Sequence, residues 1–285
     1  MFATIEQNNI LRETNSSFAV RLSADLFSKR LWVQDYTYKD ASRMLDYINH
    51  AAVKNGLEKV ILPVHKEHLP DLTTGGFSQE GWIDGYFNGA DGYFLTAYPV
   101  QKRSVSRVLG EHRRQIRQIA GRRRKKPAPL PPGTTMFVPG LKDIPALAGF
   151  FKNSFASYPS PVDQPDYLAA ALGRSALFAV VKRETQIISA AAAEVDCESG
   201  SAELTNCATL PGSRGGGLMS SLIAALEEEC LSRGINCLYS LARASSYGMN
   251  LVFHRLGYRY RGTLINNCHI CGDYENMNIW TKYNR

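Results

Sequence analysis

The chain has 285 residues, of which 44% are hydrophobic and 21% charged, with 23 Gly and 13 Pro. That is enough for one large core or two smaller ones, and it excludes collagen-like and broadly disordered classes. No apolar run approaches the ~18 residues of a membrane span, and residues 1–20 carry no basic stretch followed by an apolar one. The expectation is a cytoplasmic protein with no membrane partner and no secretory leader.

The formal net charge is +7, but it is not spread evenly. Residues 102–126 hold eleven Lys or Arg against one acid, Glu111, which makes that segment +10 and the rest of the chain −3. The basic segment runs into Pro127-Ala128-Pro129-Leu130-Pro131-Pro132-Gly133 and reads as a solvated connector, so nucleic acid is not expected as a partner. This divides the chain into 1–100, a basic helix and proline-rich linker over 101–133, and 134–285.

Elements follow in order. Residues 18–22 read as a strand. Residues 41–54 place Met44, Leu45, Ile48, Ala51 and Ala52 at helical spacing, with Asp40 as cap and Gly56 as stop. Residues 59–64 are a short buried strand. Residues 104–119 predict a polar helix with a thin stripe at Val108, Ile116 and Ile119. Beyond the linker, 144–155 and 166–172 are helical, 176–181 and 187–195 form a hairpin, and 202–209 is a third strand. Residues 218–233 make an amphipathic helix, and 237–241 a fourth strand. Gly56 to Ile61 resembles Gly234 to Tyr239, Gly76-Phe77 resembles Gly257-Tyr258, and 88–93 falls near 271–276. The shared offset of about 180 residues reads as a weak internal repeat.

All six Cys lie at or beyond Cys197. Cys268-His269-Ile270-Cys271 has metal-ligand spacing, but a structural zinc needs a second pair, so reduced thiols and no metal are expected.

The segment that carries chemistry is Pro211-Gly212-Ser213-Arg214-Gly215-Gly216-Gly217-Leu218, between a strand and a helix. Its glycines allow close backbone approach, and the helix start offers free N–H groups and a positive dipole end, which together suit a pyrophosphate. Neither a Walker loop nor a dinucleotide fingerprint fits the spacing.

The order strand, Pro-x-x-Arg-Gly-x-Gly, helix, strand, then Asn250 to Tyr258, resembles the GNAT superfamily of N-acetyltransferases over 134–285. The resemblance implies an α/β (α+β) fold: a mixed twisted sheet flanked by helices, preceded by a partial, degenerate GNAT-like N-terminal domain. Glu203 to Thr209, Ala242 to Asn250, Gly262 to Asn267, Glu275 to Trp280, Ser157-Tyr158-Pro159 and the stretch around Gly85 to Gly89 look like the β-lysine N-acetyltransferase family. That match implies acetylation of the ε-amine of β-lysine by acetyl-CoA, giving Nε-acetyl-β-lysine, a compatible solute. Lysine 2,3-aminomutase is then a metabolic partner that is not physically bound. Alternatives are another diamine or a protein lysine as acceptor, or a non-catalytic module that binds acyl-CoA or nucleic acid.

By the same resemblance the acetyl-CoA site comprises Ser213 to Leu218, the backbone of Cys207, Ala208 and Thr209, and Asn250 and Phe253. Glu203 stands where related enzymes often carry a base. Phe253 stands where they usually carry the tyrosine that protonates the thiolate, so Tyr247, another tyrosine or water would have to substitute. For the acceptor, Arg243 is the candidate for the carboxylate, Asp273 and Glu275 for the β-ammonium, and Tyr158 for the pocket lining.

Overall fold

The computed structural model describes residues 9–155, 160–270 and 272–284. The first half contains β1 (Ile10–Thr14), β2 (Phe18–Asp25), β3 (Arg30–Tyr38), α1 (Ala41–Lys54), β4 (Lys59–His65), α2 (Leu69–Leu72), β5 (Ser78–Phe87) and β6 (Ala90–Ala97). A connecting helix, α3 (Leu109–Ala120), follows. The second half contains β7 (Thr134–Phe137), α4 (Ile144–Ser154), α5 (Pro165–Ala171), β8 (Ala176–Arg183), β9 (Gln186–Asp196), β10 (Ser201–Thr209), α6 (Leu218–Ser232), β11 (Cys237–Arg243), α7 (Tyr247–Arg255), β12 (Arg259–Ile270) and β13 (Asp273–Tyr283). Among the described residues no helix is long and apolar enough to cross a membrane.

The strands form one 13-stranded mixed sheet in the order β1-β2-β3-β4-β6-β5-β12-β13-β11-β10-β9-β8-β7. Read from its centre outwards, it shows nearly the same pattern twice. β3 and β4 run parallel with α1 between them in sequence, and β10 and β11 run parallel with α6 between them. Each parallel strand then pairs antiparallel with the last strand of a hairpin, β6 in one half and β13 in the other. The topology therefore agrees with the internal repeat and with the expected fold class.

The halves meet where β5 pairs with β12, at Gly81 opposite Gly262. Both positions need glycine. A Cβ on Gly262 would lie 2.2 Å from the Glu80 carbonyl oxygen, and one on Gly81 would lie 2.8 Å from the Arg261 carbonyl oxygen. A buried ion pair locks this joint. Lys59 Nζ lies 2.9 Å from Glu80 and donates to the Ile265 carbonyl at 2.7 Å, while Ile265 N–H donates back to Glu80 at 3.0 Å. The Tyr98 hydroxyl also donates to Glu80.

Helix α1 spans the predicted residues because Asp40 accepts the Arg43 N–H and the five apolar positions are all buried. Its face and Leu22, Leu31, Val60, Leu62 and Leu95 make one core. Helices α6 and α7 cover one face of the second half, and α4 and α5 the other. A fourth apolar layer, including Ile61, Phe94, Leu264, Cys268 and Ile279 with Trp32 and Tyr239 at its edge, lies between the two halves.

The basic segment departs from its sequence reading. Its helix starts at Leu109 rather than 104, and Val108 is the exposed residue before it, not part of a buried stripe. Nor is the segment merely a solvated connector. Arg103 is buried: its guanidinium donates to Glu58, to the Ser28 carbonyl and to the Asn266 carbonyl, and lies 3.3 Å from the centre of the Tyr274 ring. Ile119 joins the α6–α7 core. Lys125 N–H bonds the Arg255 carbonyl, and Ser221 Oγ of α6 donates to the Ala128 carbonyl.

Gly262→Ala is expected to lower unfolding stability by about 3 kcal/mol, because the methyl must displace backbone rather than a mobile side chain. Gly149→Ala in α4, where an added Cβ meets nothing within 4 Å, is expected to raise it by about 0.5–1 kcal/mol. Urea denaturation of the two variants checks both signs.

Candidate active site

β10 and β11 are paired only over Ser201–Glu203 against Cys237–Tyr239. Beyond Glu203 the two strands part. β11 continues alongside β13 as far as Arg243, whereas the register of β10 with β9 shifts between Thr205 and Ala208. This β-bulge holds Asn206 at φ +52°, a left-handed conformation that Asn tolerates better than most residues. Past the bulge, the edge of β10 at Cys207 and Thr209 faces the gap between the strands.

The glycine loop closes one end of this gap. Gly215 and Gly217 have φ of +84° and +79°, and Gly217 is the N-cap of the fifteen-residue helix α6 with no side-chain cap. Among the described residues no hydrogen bond takes up the N–H groups of Gly215, Gly216 or Gly217. Open amides and the positive end of the helix therefore point the same way, an arrangement that holds phosphate oxygens. Arg214 Nε ties the loop to β10 through the Thr209 carbonyl, at 3.1 Å. Pro131 of the linker approaches from outside, 3.5 Å from where a Cβ on Gly216 would stand.

Deeper in, a cavity of about 270 Å³ is lined by Tyr167, Phe178, Glu194, Glu203, Asn206 and Tyr239, among others. Glu203 and Glu194 are cross-strand partners on β10 and β9, so their side chains leave the same face. Asn206 Nδ2 donates to Glu194 at 3.1 Å. Burial, then the neighbouring Glu194, push the Glu203 carboxyl up to about 8, against smaller opposing effects from Arg30, the Leu241 backbone and the Tyr239 hydroxyl. Burial likewise raises Glu194 above the usual carboxylate range. Burial pushes the Cys207 thiol up to about 12, so it stays protonated and is no nucleophile near neutral pH.

The other sequence candidates fall in several places. Arg243 and Glu275 meet each other, with Nη2 2.5 Å from Oε1, and Ser245 Oγ donates to the same carboxylate. Each thus answers the other's charge rather than facing the cavity. Asp273 opens β13 as an exposed residue and accepts the Tyr274 N–H. Asn250 is buried and fully committed: it donates to the Arg243 and Ser246 carbonyls and accepts from Asn278 and Trp280, which leaves no polar atom for a ligand. Phe253 is fully buried, edge-on to Tyr258. Tyr247 is half-buried at the start of α7, and Ser213 ends the turn before the loop. Tyr158 and Cys271 lie outside the described residues.

Sequence reasoning missed Glu194, Asn206, Tyr167 and Tyr239. The available signal was the acid ending the run Ala190 to Ala193, but placing it opposite Glu203 requires the hairpin register. The first half packs against the outside of this region. The Tyr86 ring stands edge-on to Tyr239 at 5.8 Å, and Asn88 bonds the Ser199 and Glu198 carbonyls of the β9–β10 turn.

Comparison with known proteins agrees with this geometry. The model of the acetyltransferase (GNAT) family matches residues 146–258. N-acetyltransferase YodP of Bacillus subtilis is 36% identical over 271 residues, covering 94% of this chain and 97% of the relative. A beta-lysine N(6)-acetyltransferase of Methanosarcina mazei is 33% identical over 245 residues, covering 79% of this chain and 90% of the relative. A second enzyme of that name, from Methanococcus maripaludis, is 26% identical over 250 residues, covering 86% and 89%.

The Glu203 shift predicts a pH-dependent stability. Between the ordinary carboxyl value of 4.5 and about 8, the folded chain holds a proton that the unfolded chain has lost, so this group's contribution falls as pH rises through that window. Glu203→Gln removes the group. The melting temperature of the variant relative to the native chain is expected to climb from pH 5 to pH 9, as read by calorimetry across pH.

Proposed function

The chain belongs to the GNAT acetyltransferase family, and from that premise we propose that it acetylates the ε-amine of β-lysine to give Nε-acetyl-β-lysine. The observation that carries the reading is the near end-to-end similarity to two beta-lysine N(6)-acetyltransferases, which extends well beyond the segment common to the family. The acidic cavity beside the parting strands supports it, since a small dicationic amine needs buried acceptors.

Acetyl-CoA supplies an acetyl group activated as a thioester. Residues Ser213 to Leu218 fit its pyrophosphate, because their open amides sit at a helix start with no carboxylate cap. Asn250 and Phe253 are left a packing role, since neither presents a free atom. Glu203 acts as the base. It takes a proton from the ε-ammonium, directly or through one water, and the freed lone pair attacks the thioester carbonyl. The nitrogen–carbon bond forms, the carbon–sulfur bond breaks, and the departing thiolate takes a proton. Of the sequence candidates, the Cys207 and Thr209 N–H groups are our assignment for the oxyanion donors, since alternation turns the Ala208 N–H towards β9. Tyr247 is our assignment for the acid that Phe253 cannot be. Cys207 stays a thiol, so the transfer is direct and passes through no acyl-enzyme.

A protein lysine is disfavoured as acceptor. Two facing carboxyls in a cavity of about 270 Å³ suit a small acceptor with two amines better than a peptide lysine with one. Arg243, Glu275 and Asp273 then remain structural or rim residues rather than the chief ammonium ligands.

Thiol release from acetyl-CoA is expected with β-lysine and to be much weaker with α-lysine, and mass spectrometry should place the acetyl group on the ε-nitrogen. Absence of turnover with every amine would remove the reading. The rate at subsaturating amine should rise with pH through about 8 and lose that rise in Glu203→Gln. Gly216→Asp should weaken acetyl-CoA binding at least about tenfold by calorimetry. The added Cβ meets only an ordinary 3.5 Å contact, so the loss reports charge against pyrophosphate rather than strain.

A further inference from the structure

We infer that Glu194 and Asn206 form a second ammonium site, which selects acceptors carrying two amines over those carrying one. The inference rests on the acetyl-transfer reading above, in which Glu203 handles the reacting amine.

Three observations lead to it. Glu194 stands directly opposite Glu203 across β9 and β10, a spacing of about 4.5–5.5 Å between Cβ atoms in such pairs, so the cavity wall carries two carboxyls side by side. Two like charges that close are unfavourable unless a cation or proton lies between them. The second observation is Asn206. Its Nδ2 donates to Glu194. Its Oδ1 is therefore the atom left over. That oxygen is buried and has no donor, in a residue only 2% exposed that lines the cavity. An unsatisfied buried acceptor costs about 1–3 kcal/mol. The third is backbone strain at the same residue, whose φ of +52° turns the side chain onto the carboxyl face through the bulge. A residue that gives up both hydrogen bonding and backbone comfort marks a place kept for a ligand.

The lining defines the ligand. Glu194, Glu203, Asp196 and Asn206 Oδ1 all bring acceptors to the cavity. A primary ammonium has three donors and no acceptor, so it matches this set, whereas a hydroxyl or carboxylate does not. Glu203 must be free to receive the proton of the reacting nitrogen. The other ammonium then belongs to Glu194, with Asn206 Oδ1 taking one of its hydrogens. The acceptor class is a small aliphatic chain with amines at both ends of a few carbons, of which β-lysine is one member.

The test compares β-lysine with 6-aminohexanoate, which keeps the ε-amine and the carboxylate and lacks the β-amine. Binding to the full chain is read by calorimetry with CoA present, and kcat and KM are read separately by thiol release. The native chain should prefer β-lysine at least about tenfold in Kd. In Glu194→Gln, whose side-chain oxygen still accepts from Asn206, that preference should fall about tenfold, chiefly through KM, and Glu194→Asp should restore part of it. Asn206→Gly is the second variant. Glycine relieves the positive φ, so the protein should melt at the same temperature or higher and yet lose preference for β-lysine. A purely structural Asn206 would give no such separation. Equal or undetectable binding of the two ligands by the native chain overturns the inference, as does an equal loss for both ligands in Glu194→Gln. Preferential binding without turnover would sustain the ammonium site and sink the acetyl-transfer reading.

Discussion

The joining of the two halves into one sheet depends on how closely two backbones approach at Gly81 and Gly262. With side chains there, β5 and β12 could not pair, and the molecule would be two separate sheets rather than one. The contact is small, so it needs support, and Lys59 with Glu80 provides it. A buried ion pair contributes little net stability, since desolvation offsets most of the attraction. What this pair adds is register. Lys59 donates to the Ile265 carbonyl while Glu80 accepts the Ile265 N–H, so one residue of β12 is gripped at both of its backbone polar groups. A slip of one residue would break both bonds and strand two charges. Burial lowers the Lys59 ammonium to about 8, with Glu80 opposing that fall.

This joint brings the first half over the second. The apolar layer that includes Phe94 and Ile279 fills the space between them, and Tyr86 and Asn88 reach Tyr239 and the β9–β10 turn. The two halves repeat each other in topology but differ at the helix that follows the parallel strand pair's first member. In the first half, β3 passes through Lys39 and Asp40 straight into α1, and the Asp40 carboxylate takes up the Arg43 N–H. In the second half the chain detours through the glycine loop, and α6 begins at Gly217 with nothing to take up its amides. The same element is closed in one copy and open in the other. One substituted cap and a short insertion separate a helix start closed by its own side chain from one whose amides are open.

Local signals were readable in the sequence. The spacing of Met44, Leu45, Ile48, Ala51 and Ala52, with Asp40 before it, gave α1 to the residue. The glycine triplet marked the start of α6, and short apolar runs marked β8 to β11, four of the seven strands described in the second half. Facts that depend on partners far along the chain were not readable. The basic segment looked uniformly solvated because composition does not reveal that Arg103 finds Glu58, Ser28 and Asn266 together. Arg243 stood out as a carboxylate ligand because it ends a strand where α/β sites open, and Glu275 as an acid for the ammonium, and the register of β11 against β13 makes them partners of one another. Asn250 was a cofactor candidate by resemblance, yet its amide joins α7 to β13 through Asn278 and Trp280.

The acidic cavity shows why the missed residues were the hard ones. Glu194 and Asn206 come together only because β10 gains a bulge after Glu203, and a bulge changes which face a side chain takes without changing the residue types around it. By alternation alone, Asn206 would lie on the α6 side with Ala202 and Leu204, and Glu194 would have no amide beside it. The shift turns Asn206 onto the carboxyl face and leaves the β10 edge unpaired at the same point. A single irregularity therefore opens the gap beside the glycine loop and completes the acceptor lining. Its costs are a left-handed Asn, an orphaned carbonyl oxygen and two crowded carboxyls. Such costs persist only in a frame held rigid elsewhere, and here the frame is the long sheet joined at Gly81 and Gly262.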